Sequence, residues 1–112
     1  MFTFVVSNRN SSKLLMNVIS LKKIKEYYTQ NAGAKLPLTS WYKTTKHAEW
    51  KDLNALKKDF PSADLVKDGR VVFNIKGNHY RLVARVSFQY KSIMVKWIGT
   101  HAEYDKIDAG TI

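Results

Sequence analysis

Residues 70–86 read RVVFNIKGNHYRLVARV. β-Branched and aromatic side chains fill both halves, and Gly77-Asn78 between them favours a tight hairpin turn. A turn there pairs Ile75 with Tyr80, Phe73 with Leu82 and Val71 with Ala84. The following stretch, SIMVKWIG at 92–99, submits to the same test. A turn at Tyr90-Lys91 pairs Phe88 with Ile93, Val86 with Val95 and Ala84 with Trp97. All of these residues share one face, and nearly all are apolar. A slip of one residue would invert every side chain, so the agreement of two hairpins predicts an antiparallel sheet with Trp97 in its core.

The opposite face then carries Asn74, Lys76, His79, Arg81, Arg85 and Lys96, interspersed with Val72, Val83, Met94 and Ile98. In this register Arg85 stands across from Lys96, an opposition of like charges that costs up to about 1 kcal/mol. Local conflicts of this kind mark places where function overrides stability. A solvated basic face is the alternative for any single lysine; the set of charges reads as a binding site. Continuing the register sets Thr100 opposite Arg81, so His101 emerges at the arginine end of the face. HAEYDKI (101–107) reads as a short helix, with Tyr104 and Asp105 one turn beyond His101.

Upstream, Asn17–Ile19 is a brief strand, and Ser20 is placed to cap the helix LKKIKEYYTQN, where Leu21, Ile24, Tyr27 and Tyr28 fall at helical spacing. Asn31, Gly33 and Pro37 break it. A second helix starts near Pro37 with Leu38, Trp41, Tyr42 and Thr45 as its buried stripe, and DLNALKKDF is a third, capped by Asp52 and ended by Pro61. The pattern is α+β: two to three N-terminal helices on one face of an antiparallel sheet, then a short C-terminal helix. Residues 1–15 read as an extension ahead of a single domain over 16–112, with Met16 an alternative start. TFVV within that extension is otherwise an added edge strand.

The chain has 112 residues and no cysteine, which excludes disulfides and thiolate metal sites. No apolar run approaches membrane-spanning length, and MFTFVV is too short for a signal-peptide core, so a cytoplasmic location is expected. Nineteen Lys+Arg against nine Asp+Glu leave a net charge of +10. Such an excess raises self-repulsion, and a polyanionic partner is the physical reason to keep it. Nucleic acid, the ribosome, an acidic protein and an anionic membrane all qualify. Arg81 and Arg85 lie four residues apart, about 13 Å at strand rise, and suit neighbouring phosphates of one RNA strand.

His, Tyr and Lys beside a phosphate-binding face are the groups that move protons in phosphodiester cleavage. RNA carries its own nucleophile, the 2′-hydroxyl, so such cleavage requires no metal. His47, His79 and His101 have no close metal-ligand spacing, in agreement with that. His101 is the candidate for proton transfer, because imidazole titrates near neutrality. Arg81, with Lys96 or Arg85, suits stabilisation of charge at phosphorus. Tyr104 either assists or stacks on a base, and Asp105 either orients a protonated partner or caps and bridges to Lys106. His47 and Trp50 read as structural or ribosome-facing. The competing function is a noncatalytic RNA- or DNA-binding module using the same face.

VVFNIKGNHYRLVARV followed by GTHAEYDKID, with WYKTTKHAEWKDLNALKKDFPSAD before them, resembles the HigB-type toxins of bacterial toxin–antitoxin systems, within the RelE-like group of mRNA interferases. The G-N-x-x-R arginine falls on Arg81; the histidine, tyrosine and aspartate of T-H-x-E-Y-D fall on His101, Tyr104 and Asp105. The resemblance begins near Met16, where family members start. It implies a compact RelE-like fold and endonucleolytic cleavage of mRNA, commonly on the translating ribosome, without a cofactor. It also implies neutralisation by a cognate antitoxin of HigA type carrying a helix-turn-helix, through which any contact with DNA would be indirect.

Overall fold

The computed structural model describes residues 15–112. The expectations placed on residues 1–14, an extension or an edge strand at TFVV, lie outside the described residues. Strand β1 (Asn17–Ile19) leads into helix α1 (Leu21–Gln30), a 3-10 turn (Ala32–Ala34) and helix α2 (Lys35–Lys46). Helix α3 (Leu53–Asp59) and strand β2 (Asp64–Leu65) follow. The chain continues through β3 (Arg70–Ile75), β4 (Tyr80–Ser87) and β5 (Ser92–Thr100), then the one-turn helix α4 (His101–Tyr104). No helix among them is long and apolar enough to cross a membrane.

The strands form one sheet in the order β1-β5-β4-β3-β2. The expected antiparallel sheet is in fact mixed, because β1 runs parallel to β5 with Asn17 beside Ser92 and Ile19 beside Met94. The intervening helices make the crossover that a parallel pairing demands. Ser20 occupies the turn from β1 into α1, but in a left-handed conformation (φ 75°, ψ 37°), and its hydroxyl makes no capping bond. Asp52 does cap as its position suggests: Oδ1 accepts from the Ala55 N–H at 2.9 Å. Pro37 sits in the first turn of α2, where its missing N–H costs nothing.

One face of the sheet holds the main core. Ile24, Leu38, Trp41 and Leu56 from the helices pack with Val71, Phe73, Ile75, Leu82, Ala84, Ile93 and Val95. Aromatic rings meet edge to face in series, with Trp50–Phe60 at 5.9 Å, Phe60–Phe73 at 5.2 Å and Phe73–Trp41 at 5.3 Å between centroids. Each such pair adds about 0.5–1.5 kcal/mol beyond area burial. Trp50 is therefore structural. It is buried, its indole N–H donates to Asp59 Oδ2 at 2.9 Å, and its carbonyl accepts from Lys91 Nζ at 2.8 Å.

The first hairpin has the expected register, from Ile75–Tyr80 through Phe73–Leu82 to Val71–Ala84. The second does not. Its loop is four residues long, 88–91, so Ser87 faces Ser92, Val86 faces Ile93 and Ala84 faces Val95. A β-bulge at Lys96 then breaks the alternation, and Val83 faces Trp97, Leu82 faces Ile98 and Arg81 faces Gly99. The expected oppositions of Arg85 to Lys96, of Thr100 to Arg81 and of Trp97 to Ala84 are thus all replaced. Arg85 lies across from Met94 on one side and Arg70 on the other, and Thr100 lies across from Tyr80. Ile98, expected on the basic face, packs instead against the main core.

Trp97 is correspondingly not part of the main core. It lies on the other face, where it joins Val72, Val83, Val66, Tyr104, Ala109 and Ile112 in a second, smaller apolar cluster. The C-terminal segment is held over that face by Arg70, whose Nε and Nη2 donate to the Ile112 carbonyl oxygen at 3.0 and 2.8 Å. Gly99 admits the Trp97 ring: a Cβ added there would stand 2.3 Å from the indole edge. Gly99→Ala is therefore expected to destabilise the fold by about 1–3 kcal/mol, the range for overpacking a filled site, read as a lower urea midpoint. An unchanged midpoint would show that the indole does not depend on that close approach.

Candidate active site on the open sheet face

On the sheet face opposite the main core, Arg81 stands near the start of β4, with Asn74 of β3 on one side and Gly99 of β5 on the other. Arg81 is only 8% exposed. Its Nη2 donates to Asn78 Oδ1 at 2.8 Å, and its Nη1 to the carbonyls of Asn78 (3.3 Å) and Tyr80 (3.2 Å). The β3–β4 turn thus grips the guanidinium with neutral acceptors. The sole ion pair among the described residues is Lys22–Glu26 at 3.7 Å, far along α1, so no carboxylate neutralises Arg81. A guanidinium has five N–H donors; the three bonds above leave Nε–H and a second Nη2–H for an incoming anion, an edge suited to a phosphate fork.

His101 begins α4 just beyond this point. Its backbone N–H donates to the His79 carbonyl at 3.0 Å, while its side chain is exposed. A capping box secures the turn: Thr100 Oγ1 accepts from the Glu103 N–H at 3.1 Å, and Glu103 Oε1 accepts from the Thr100 N–H at 2.8 Å. The imidazole is therefore free to move while its main chain is fixed. Tyr104 leans against Trp97, with ring centroids 6.2 Å apart at 53°, and is half-buried in the second cluster. Asp105 is exposed; its N–H closes the helical turn onto the His101 carbonyl at 3.3 Å, and its carboxylate forms no bridge to Lys106.

The remaining sequence candidates divide between two places. His79 and Lys76 are exposed in the β3–β4 turn, with His79 Nδ1 3.0 Å from the Lys76 carbonyl. Arg85 and Lys96 sit farther down the sheet around a shallow depression shared with Ser87, Tyr90 and Met94. Arg81, Asn74, His101 and Tyr104 are thus gathered at one end of the sheet, while Arg85 and Lys96 form a separate cationic group. Among the described residues no three His, Asp or Glu side chains gather as a metal-binding group.

Three participants escape a reading of the sequence. Trp97 forms the floor under Tyr104. Tyr80 and Tyr27 meet edge to face at 6.0 Å behind the β3–β4 turn, near Glu103. Burial, then the negative charge of Glu103, then Tyr80 hold the Tyr27 hydroxyl above the usual tyrosine range. No spacing signal links a residue in the first helix to one in the last, so this contact emerges only in the folded chain.

Comparison with known proteins identifies the family. The sequence profile of a family described as "HigB_toxin, RelE-like toxic component of a toxin-antitoxin system" matches residues 34–107, which include Arg81, His101 and Tyr104. The chain is 34% identical over 92 residues to the mRNA interferase toxin HigB of Escherichia coli K12, covering 80% of this chain and 88% of that protein. It is 31% identical over 94 residues to the mRNA interferase HigB of Escherichia coli O6:H1, covering 82% and 91%. The chain belongs to the HigB toxin family of RelE-like toxic components of toxin–antitoxin systems.

Proposed function

We propose that this toxin is an mRNA interferase that cleaves mRNA endonucleolytically with the face organised around Arg81. The observation that carries the reading is a nearly buried guanidinium with no carboxylate partner and two uncommitted N–H donors, with an exposed histidine, His101, two residues beyond its cross-strand neighbour Gly99. An unneutralised cation in a partly desolvated site stabilises developing phosphoryl charge far more than a solvated one would. The 2′-hydroxyl of the substrate attacks the adjacent phosphorus, the 5′-oxygen leaves, and the products carry 2′,3′-cyclic phosphate and 5′-hydroxyl ends. The nucleophile is the RNA's own, so the step runs without a metal. Arg81 holds the non-bridging oxygens, and His101 exchanges the proton on the entering or leaving oxygen. Tyr104, braced by Trp97, presents an aromatic face to a neighbouring base, and Asn74 and Asp105 border the same site.

The net charge of +10 favours mRNA presented on the translating ribosome in the cytoplasm. Lys76 extends the positive edge at the turn, with His79 beside it. A cognate antitoxin of the HigA, helix-turn-helix kind would restrain the activity and supply the only route to DNA. His101→Ala is expected to reduce cleavage by about 10²- to 10⁴-fold while leaving the melting temperature unchanged, because the fold uses only its backbone. Arg81→Ala is expected to abolish cleavage. The measurement is mapping of mRNA 5′ ends after induced expression of each variant, with melting temperatures alongside. Full cleavage by His101→Ala would remove that residue from the chemistry; RNA binding without cleavage by the unmodified protein would leave a binding module.

Arg85→Ala and Lys96→Ala should each weaken RNA or ribosome binding and flatten its salt dependence by about 0.7 in log–log slope per lost phosphate contact on a single strand. Arg85→Ala should not lower stability, since it removes one of two like charges opposed across β3 and β4. A fall in melting temperature with binding intact would assign these side chains a structural role.

A further inference from the structure

Five large hydrophobic side chains are exposed among the described residues, and three of them meet at one spot. Tyr90 (76% exposed), Met94 (38%) and Ile19 (36%) border the depression that also contains Arg85, Lys96 and Ser92. Four strands or loops converge here: β1 supplies Ile19, β4 supplies Arg85, β5 supplies Met94 and Lys96, and the β4–β5 loop supplies Tyr90. The loop that carries Tyr90 is itself fixed, because the Tyr90 N–H donates to Ser87 Oγ at 3.2 Å and Lys91 Nζ is tied to the Trp50 carbonyl at 2.8 Å. The tyrosine ring is thus presented on a set backbone without being covered.

We infer that this depression is a second nucleotide subsite, in which a base of single-stranded RNA stacks on Tyr90 against Met94 while Arg85 and Lys96 hold its flanking phosphates. This deepens the reading of the chain as an mRNA interferase and rests on it. Two features select RNA over a protein partner. Arg85, at the near edge of the patch, lies on the same sheet face and the same strand as Arg81, four residues or about 13 Å away, so a strand bound at Arg81 runs onto it. Its apolar part is one exposed ring with two half-exposed neighbours between two cations, the combination of stacking platform and positive groove that single strands require. The distance makes the base a neighbour of the scissile nucleotide rather than the scissile one. Tyr90 is in this way a specificity-determining residue, acting at a fixed offset from the cut.

The test uses the full chain in two arms. In cells, mRNA 5′ ends are mapped after induction of the unmodified protein, Tyr90→Ala and, as a control, Leu36→Ala, which alters an exposed apolar residue of α2 outside the face. Tyr90→Ala is expected to flatten base preference at one fixed position beside the cut, and Leu36→Ala to leave it unchanged. In vitro, binding of a short RNA with a 2′-deoxy scissile nucleotide is measured, with an abasic nucleotide moved through each position. Tyr90→Ala should weaken binding about tenfold, within the range for loss of one base–aromatic stack, and the abasic nucleotide at the offset position should abolish that difference. Equal binding and an unaltered preference for Tyr90→Ala would overturn the subsite while leaving the nuclease intact. Weakened antitoxin binding with RNA binding unchanged would likewise overturn it, in favour of a protein-docking patch. Failure of the unmodified protein both to cut and to bind RNA would overturn the nuclease reading and the subsite together.

Discussion

The organisation of the functional face depends on one extra residue in β5. At Lys96 the strand gains a position that β4 does not match, and every side chain beyond it changes face. Trp97 is turned away from the main core onto the opposite surface, where it meets Val83 and Val72 and supports Tyr104. Without that inversion Val72 and Val83 would lack the indole that covers them. With it, the second side acquires a small core of its own, against which the C-terminal segment packs. Bulges commonly re-aim side chains next to active sites, and here the same irregularity also determines which residue lies beside Arg81. That residue is Gly99, whose lack of a side chain leaves room for the indole.

Arg81 is the electrostatic counterpart of that packing. Burial of a guanidinium is unfavourable unless its donors are satisfied, and the Asn78 side chain and two carbonyls satisfy some of them without cancelling the charge. Charge and geometry are thus preorganised before any substrate arrives. The histidine beside it is held differently, with its main chain pinned by the capping box and its ring left in solvent. In the proposed reaction one group would supply a stationary field and the other would carry the proton, a division that suits phosphoryl chemistry.

Much of this arrangement is legible in the sequence. The first hairpin reads correctly because Gly77-Asn78 marks its turn and alternation on both sides is strict. The helical stripes of α1 and α2 read correctly for a similar reason: Ile24, Leu38, Trp41 and Thr45 are all buried. The second hairpin misleads because Ile93, Val95 and Trp97 alternate perfectly while the backbone does not, and no glycine announces the bulge. The parallel pairing of β1 is hidden by its three-residue length. Strand β2 is only two residues long and has no alternation to read, although Asp68-Gly69, both at positive φ (58° and 73°), is a turn signal for the hairpin into β3. Arg81 and His101 carry motif-level signals that survive the register error, since both stay at the same end of the sheet. The contact between Tyr27 and Tyr80 has no local signature at all.

The parallel pairing of β1 with β5 also bears on how the molecule comes into being. Asn17 and Ser92 are neighbours in the sheet but lie near opposite ends of the described chain, and joining them closes a loop that contains every helix except α4. Contacts of such long sequence separation form late and slow folding. During synthesis the first strand and the helices following it would wait for the final hairpin to leave the ribosome before the sheet can close. Arg81 and His101 flank that same hairpin, so the residues proposed to cut RNA are assembled in the closing step. Incomplete chains would then lack both a stable sheet and the means to attack the messages being read beside them.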